Sequence, residues 1–421
     1  VQVILVDKHN YHLFRPMLYQ VATGLLSADE VAAPIRSILR KQKNLDVLMT
    51  EVTGVNTHNR IVHTREADLS YDYLVLATGI HYNYFGHEEW KKLAPGLDSV
   101  DDADRIRGKI LMAFEAAERL ATDGQADAEE LKELLTFVLV GGGTAGVEMA
   151  GTIAEMTHMA LTDDFRHIDP RSARILLFEA GPRILSTYPE KLSEKARLHL
   201  EQLGVEVRTN ARVEDVNVSG VVVGGQCIRS RTVLWTAGVV ASSAGVWLGA
   251  EVDKAGRVKV NPDLSVPGHP NIFAIGDTAL VVAHTRNIFG IRSKVPEPLP
   301  GVAQPAIQEG KYVASVIYRQ VMGMHPPAPF WYWDKGNLAI VGRTFAVADM
   351  KPFRFWGLPA WLLWLGVHIY FLIGFANRLL VMIQWGFSFL TKRRGVRIFS
   401  LDRDETLPKG SAHDVSTTTE E

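Results

Sequence analysis

Short apolar runs that end on a small or an acidic residue set the pattern of this chain. Residues 1–6 are apolar except for Gln2 and stop at Asp7, and the run 73–76 passes into Ala77, Thr78 and Gly79. Phe137-Val138-Leu139-Val140 runs into Gly141, and residues 173–178 end at Glu179. Residues 232–235 pass into Thr236, Ala237 and Gly238, and residues 271–275 into Gly276 and Asp277. Apolar runs this short, bounded by turn residues, predict strands buried on both faces. Between them the period lengthens to that of helices. Ile106, Ile110, Leu111 and Phe114 share one face within 98–134, and a second helix is expected at 193–203. Further short strands are expected within 47–63, near Val205 and Val221, and from Asn337 to Met350. Strands alternating with helices predict an α/β fold.

The sharpest single signal is residues 136–151, TFVLVGGGTAGVEMAG. An uncharged strand meets glycines at 141, 143 and 146, and a helical pattern follows. In a dinucleotide-binding turn the first glycine permits the tight bend. The second lets a pyrophosphate approach bare backbone, and the third lets helix and strand pack closely. The helix N-terminus adds unpaired N–H groups and partial positive charge. Such a turn alone is a weak signal, but here strand and helix both flank it correctly. Glu179, at the tip of the next strand, lies 33 residues beyond Gly146. That is farther than the minimal spacing of about 20, so the helix between is expected to be long. An acid there suits a ribose 2′-hydroxyl and repels a 2′-phosphate, favouring NAD over NADP, although Arg183 just beyond weighs the other way.

Asp7 ends its strand in the same manner, and on its own reads equally well as a ribose acid or a turn cap. The turn at Thr78 and Gly79 would admit a cofactor close to the backbone. The turn at Ala237 and Gly238 repeats that design, so one domain plan is used twice. Gly276 and Asp277 stand at a strand's carboxyl end, where open α/β folds place ligands, or form an ordinary Asp turn. Residues 298–314 enter a helix whose face carries Ala303, Gln304, Ala306, Ile307, Gln308 and Gly310. Asp101, Asp102 and Asp104 read as first-turn acids complementing a helix dipole rather than metal ligands.

The other end of the chain is different in kind. Residues 355–375, FWGLPAWLLWLGVHIYFLIGF, contain no formally charged side chain. As one straight helix they would reach roughly 32 Å, enough to cross a bilayer core. Pro359 and Trp356, Trp361, Trp364 and Trp385 equally suit a helix lying in the interface, and interfacial insertion is the preferred expectation. A soluble hairpin or dimer interface is the plain alternative. Asn377-Arg378 interrupts the run, and Lys392, Arg393, Arg394 and Arg397 follow a second apolar stretch. Residues 400–421 are polar and expected to be disordered.

Composition adds little beyond exclusions. At 421 residues the chain needs more than one ordinary core. A net charge of −2 gives no sign of a nucleic-acid partner, and no zinc-type Cys/His spacing occurs, so no metal is expected. The single Cys227 excludes an internal disulfide framework and is expected to be buried. The chain opens inside a strand without Met, which suggests residues upstream.

With these motifs placed, residues 1–399 resemble the type II NADH dehydrogenases, single-chain, non-pumping NADH:quinone oxidoreductases among the pyridine-nucleotide flavoproteins. The segments that carry the resemblance are HLFRPMLYQVATGLLS (12–27), YDYLVLATG (71–79), GGGTAGVEMAG (141–151), FEAGPRIL (178–185), WTAGV (235–239), IFAIGDTA (272–279), PGVAQPAIQEG (300–310) and the apolar C-terminal hairpin. The resemblance implies two Rossmann-like domains, one inserted in the other. FAD would occupy residues 1–105 and 266–330, the latter with the quinone-side motif, and NADH would occupy 106–265. Residues 331–399 would add strands and a hairpin, with 352–399 on a lipid bilayer surface and the catalytic part on the cytoplasmic side of the inner or cytoplasmic membrane. A homodimer is a further expectation.

The resemblance also assigns roles. Asp7 would bind the FAD ribose, Thr78 and Gly79 would line the flavin, and Gly276 and Asp277 would hold its ribityl-phosphate part. Ala303 and Gln304 would lie beside the flavin ring, with Gln304 and Gln308 on the quinone side. Gly141, Gly143, Gly146 and Glu179 would bind NADH, with Ala237 and Gly238 continuing that pocket. Glu148 would sit near the nicotinamide–flavin stack and assist placement or protonation, although a helix carboxylate is as often structural. NADH would pass hydride from C4 to flavin N5, and two electrons would follow to a membrane quinone. The glycine-rich loop expected upstream of an Asp7-type strand is not in this sequence. Two other readings stay open: a flavin reductase of a soluble acceptor, and a membrane-tethered nucleotide sensor or scaffold without redox activity.

Overall fold

A computed structural model of the chain describes residues 1–124, 127–391 and 394–399. The polar tail 400–421, with Lys392 and Arg393, lies outside the described residues. The predicted repetition of one plan is visible strand by strand. In the second unit four parallel strands lie in the order Val205–Arg208, Arg174–Phe178, Thr136–Val140 and Thr232–Trp235. A three-stranded antiparallel meander, Val213–Asn217, Gly220–Val223 and Gln226–Arg229, precedes the last of them. In the first unit Val3–Asp7 pairs in parallel with Leu45–Met49. Its own meander, Val52–Asn56, Ile61–Thr64 and Asp68–Ser70, precedes Leu74–Leu76. That strand then pairs in parallel with His269–Ala274, which arrives from beyond the second unit. The chain thus leaves the first unit, builds the second and returns.

The helix Val100–Thr122 carries the chain from one unit to the next without a break at the expected division near 105. Its start is set locally. Ser99 accepts from the Asp102 amide at 3.1 Å, and the Asp102 carboxylate reaches back to the Ser99 amide at 3.0 Å, a capping box. Asp102 is therefore a cap, as expected of a first-turn acid. Ile106, Ile110 and Phe114 are fully buried against the second unit's core. Cys227, expected inside, is exposed at the edge of a meander strand.

The apolar run 355–375 is not one helix. Residues 355–357 complete the strand Phe353–Gly357 of a three-stranded antiparallel sheet with Asn337–Ile340 and Ala346–Met350. A helix then covers Leu358–Phe371, the chain bends through Gly374 at φ +91°, and a second helix covers Phe375–Thr391. Fourteen residues make about 21 Å, short of a bilayer core of about 30 Å. Among the described residues no helix is long and apolar enough to cross a membrane.

After the second helix the chain re-enters the body. Arg394 is buried, and its guanidinium donates to Thr23 O at 2.7 Å and Thr152 O at 2.8 Å. Val396 N donates to Gly24 O at 3.1 Å, so the Gly24 turn (φ +69°) receives the returning chain.

Candidate functional site

Each glycine of the turn 141–146 meets a different constraint. Gly141 holds φ +110°, and a Cβ there would lie 2.7 Å from the Ala237 backbone. A Cβ on Gly146 would collide with the Gly141 carbonyl oxygen. Gly143, by contrast, faces open space and caps the helix Thr144–Glu155. Closeness is needed at the first and third glycines, and access at the second. Glu179 stands beside this turn. One carboxylate oxygen accepts from Gly142 N and the other from Gly181 N, each at 2.7 Å. Each oxygen keeps a second lone pair, so the acid is held in place with acceptor capacity left for hydroxyls.

The Thr236 hydroxyl donates to Val140 O at 2.9 Å and Gly141 O at 2.8 Å, fastening the Ala237–Gly238 turn to the glycine turn. Gly238 adopts φ +64°, with Phe85 closing over it. The next strand, Val239–Ala241, pairs antiparallel with Ile80–Tyr82 of the first unit. The two small-residue turns, 78–79 and 237–238, thereby meet. Ser242 N donates to Gly79 O at 3.1 Å, and the Ser242 and Thr78 hydroxyls lie 2.5 Å apart.

On the first unit's side, Thr278 gathers the site. Its hydroxyl accepts from Gly79 N at 2.7 Å and lies 3.3 Å from the Thr78 hydroxyl. Gly79, at φ +70°, faces open space like Gly143. Gly276, at φ +64°, donates its N–H to Glu309 at 2.6 Å, and a Cβ there would lie 3.2 Å from the Ala306 methyl. Burial raises the Glu309 carboxyl to about 7, against the lowering effect of that hydrogen bond. Burial also raises Asp277, opposed by the Arg15 and Arg257 charges. Arg15 is ion-paired with Asp98, which ties the 12–27 segment to this corner. Asp7 engages one oxygen with His9 N at 2.8 Å, a turn-capping contact.

Helix Ala303–Val321 separates the two glutamines. Gln308 closes a two-way clamp on one backbone unit. Its amide donates to Trp333 O at 3.0 Å and accepts from Trp333 N at 2.9 Å. That occupies the amide expected to face a quinone, so Gln308 fastens the helix to the strand Trp331–Asp334. Gln304 is different, with its amide oxygen buried and without a partner among the described residues. Ala303 beside it is exposed. Open backbone at Gly79 and Gly143, with an orphaned amide acceptor at Gln304 on the helix that packs against Gly276, fits a flavin and a nicotinamide nucleotide.

Glu148 lies on the helix after the glycine turn, 7% exposed. Among the described residues its one close donor is Ile340 N at 3.4 Å, too long to stabilise a full charge, and burial raises the carboxyl to about 8. At neutral pH it is mostly protonated. Burial raises Tyr19 and Tyr188, and the nearby Glu148 carboxyl adds to the effect. Gln20 is buried beside Tyr19, donating to its hydroxyl at 2.9 Å and accepting from Trp385 Nε1 at 2.8 Å. The 12–27 segment, readable as ordinary core, thus carries a polar link to the C-terminal helix.

Sequence reasoning missed Thr278 and Glu309. Glu309 is the one acid in Ala303–Val321, which was the available signal. Thr278 had none, because its role comes from a partner about 200 residues away.

Residues 1–310 match the family described as pyridine nucleotide-disulphide oxidoreductase. The chain is 43% identical to the type II NADH:quinone oxidoreductase Ndh of Mycobacterium tuberculosis, over 94% of this chain and 84% of that one. It is 40% identical to NdhA of the same organism, over 94% and 83% respectively. Among solved structures, NDH2 from Plasmodium falciparum in complex with NADH superposes with a TM-score of 0.81 at 23% identity, covering 93% of this chain and 94% of that one.

Proposed function

The chain belongs to the pyridine nucleotide-disulphide oxidoreductase family and, within it, to the type II NADH:quinone oxidoreductases, and from that premise we propose how its residues divide the work. It is a non-pumping FAD-dependent NADH:quinone oxidoreductase. Bound FAD supplies the two-electron chemistry, taking hydride from NADH and passing electrons to quinone.

The observation that carries the assignment is the meeting of the turns 78–79 and 237–238 through the strand pair Ile80–Tyr82 and Val239–Ala241. One turn belongs to each unit, so a ligand of each is brought face to face. Residues 1–105 and 266–330 hold FAD, with Thr78, Gly79, Gly276, Asp277 and Ala303 along it and Asp7 at its ribose. Thr278 and Glu309 position that set. Residues 106–265 hold NADH on Gly141, Gly143, Gly146 and Glu179, with Ala237 and Gly238 beside the nicotinamide. Glu179, held in place by the Gly142 and Gly181 amides, selects the unphosphorylated ribose. Glu148, on the helix that follows the glycine turn, serves as the proton-holding group, a role its raised carboxyl allows near neutral pH. Gln304 offers an amide to a quinone carbonyl, and Gln308 positions it through Trp333.

The helices Leu358–Phe371 and Phe375–Thr391 rest on the bilayer surface without crossing it. Leu362, Phe375, Leu379, Ile383, Phe387 and Leu390 support this reading, each at least half exposed or nearly so. An enzyme seated on the cytoplasmic face and associated as a homodimer completes the proposal.

The direct test uses full-length protein in detergent. NADH should bleach the flavin absorbance, and a short-chain quinone should restore it. A flavin that NADH reduces but quinone cannot reoxidise would sink the acceptor. Unchanged NADH KM on Gly143→Val would sink the site.

A further inference from the structure

The sequence RNIFGIRSK, residues 286–294, takes no part in the site described above, yet it is built with care. It forms the tip between the strands Val282–Asn287 and Glu297–Pro298. Ile288, Phe289 and Ile291 stand exposed at 37%, 52% and 59%, three large apolar side chains within four residues. Arg286, Arg292 and Lys294 flank them and are exposed as well. None of the three cations has an acidic partner among the described residues. Glu297, the acid of the hairpin, accepts from the Thr285 hydroxyl at 3.1 Å.

The tip is rigid. The Asn287 side chain accepts from Phe289 N at 3.0 Å and Ile291 N at 2.9 Å, and donates to Lys351 O at 2.8 Å. Asn287 N donates to Ile291 O at 3.0 Å, and Gly290 N to Asn287 O at 3.0 Å. Apolar side chains are therefore held outward on a fixed turn, not left on a loose loop.

The tip is also continuous with the apolar helices. Phe289 meets Phe353 edge-on at 5.2 Å, at the start of the strand that leads into Leu358–Phe371. Val282–Asn287 pairs with Trp331–Asp334, whose Trp331 and Trp333 are both exposed. The Arg292 guanidinium lies 5.4 Å from the Trp331 ring. Lys335 spans from the Trp333 ring at 5.2 Å to the Phe371 ring at 5.0 Å, at the end of the first apolar helix. Apolar tips ringed by tryptophans and unpaired cations match the layering of a bilayer interface, with acyl chains inside and anionic headgroups above.

We propose that the 286–294 hairpin is a second bilayer contact, inserting Ile288, Phe289 and Ile291 among lipids while Arg286, Arg292 and Lys294 bind anionic headgroups. The proposal rests on the reading of the C-terminal helices as a lipid-facing surface, and adds a second point that fixes the tilt of the body on the membrane.

The test is co-sedimentation of the full-chain holoenzyme with vesicles of phosphatidylcholine alone or with phosphatidylglycerol. Phe289→Ser with Ile291→Ser should weaken binding at least about tenfold on both vesicle types. Arg286→Gln, Arg292→Gln and Lys294→Gln together should weaken binding roughly 100-fold on phosphatidylglycerol vesicles and little on phosphatidylcholine. Both variants should oxidise NADH with a short-chain quinone in detergent at the wild-type rate, which excludes misfolding. A comparison variant, Leu379→Ser with Ile383→Ser, reports on the C-terminal helices alone. Wild-type affinity of the hairpin variants beside a weakened helix variant overturns this proposal and leaves the helix reading intact. Failure of the unaltered enzyme to bind either vesicle overturns both. A hairpin variant that changes the oligomer mass by light scattering while keeping vesicle affinity also overturns it, in favour of a second copy of the chain.

Discussion

The two nucleotide units share one strand plan and differ in how it is closed. In the second unit the strand Thr136–Val140 is flanked on both edges and buried throughout. In the first unit the strand Leu74–Leu76 takes its parallel partner from His269–Ala274, after the whole second unit has intervened. Similar apolar runs, LVL and TFVLV, are therefore closed by neighbours at very different separations along the chain. A parallel strand reaches full stability only when both faces and both edges are covered. The second unit closes its parallel sheet from strands within residues 136–235, while the first completes its pairing with the returning strand His269–Ala274.

The widest expected gap between the units is in amide exchange. Val138 to Val140 should exchange only on global opening, and Val75 and Leu76, paired to the returning strand, roughly 100-fold faster. Equal rates measured by mass spectrometry would erase the comparison.

Glycine substitutions should separate the units next. Gly146→Val must displace the Gly141 carbonyl, so loss of NADH binding and at least about 3 kcal/mol of stability is expected. Gly79→Ala meets no atom and carries only the left-handed backbone cost, about 1 kcal/mol. Thermal melting and NADH titration distinguish them, and a well-folded, NADH-binding Gly146→Val protein would refute the close-packing argument.

Each unit also holds a carboxyl that burial raises far, Glu148 in the second and Glu309 in the first, and their titrations should differ in width. Both carboxyls are raised in the folded state, so each folded form binds more protons than the unfolded chain above the ordinary value of 4.5. Stability falls as pH rises, from about 4.5 to about 8 for Glu148 and to about 7 for Glu309. Glu148→Gln should flatten the loss across the wider window. Glu309→Gln should flatten it across the narrower one. Melting curves from pH 4.5 to 8.5 that run parallel for wild type and Glu148→Gln would show that Glu148 titrates normally.

The smallest contrast concerns the strand-tip acids. Glu179 holds two backbone amides and Asp7 one. Glu179→Ala should cost about 2 kcal/mol and raise NADPH use relative to NADH about tenfold; Asp7→Ala should cost about 1 kcal/mol and leave the nucleotide preference alone. An unchanged preference in the Glu179 variant would remove it as selector.

Much of the fold was legible because its signals are local. The strand 136–140 and its glycines carry period, turn chemistry and spacing within sixteen residues. The doubled plan could be read from two similar runs, YLVLATG and TVLWTAG. What escaped was nonlocal. Gln308 reads as an amide on a helix face, and only the approach of Trp333 turns it into a clamp. The apolar run 355–375 has the composition of one long helix, but its first three residues are recruited by a sheet edge and Gly374 bends the rest. Arg394 reads as part of a surface basic cluster, yet carbonyls from two distant segments take it into the interior.

That last arrangement alters the mechanics of the C-terminal helices. They leave the body through the sheet at Gly357 and return to it at Arg394, so the pair is a closed loop anchored at both ends. Force applied to the exposed apolar face of the pair is divided between the two anchorages, one of which grips the helix bearing Glu148 through Thr152 O. A load on these helices is thus shared directly with the backbone that carries the nucleotide turn.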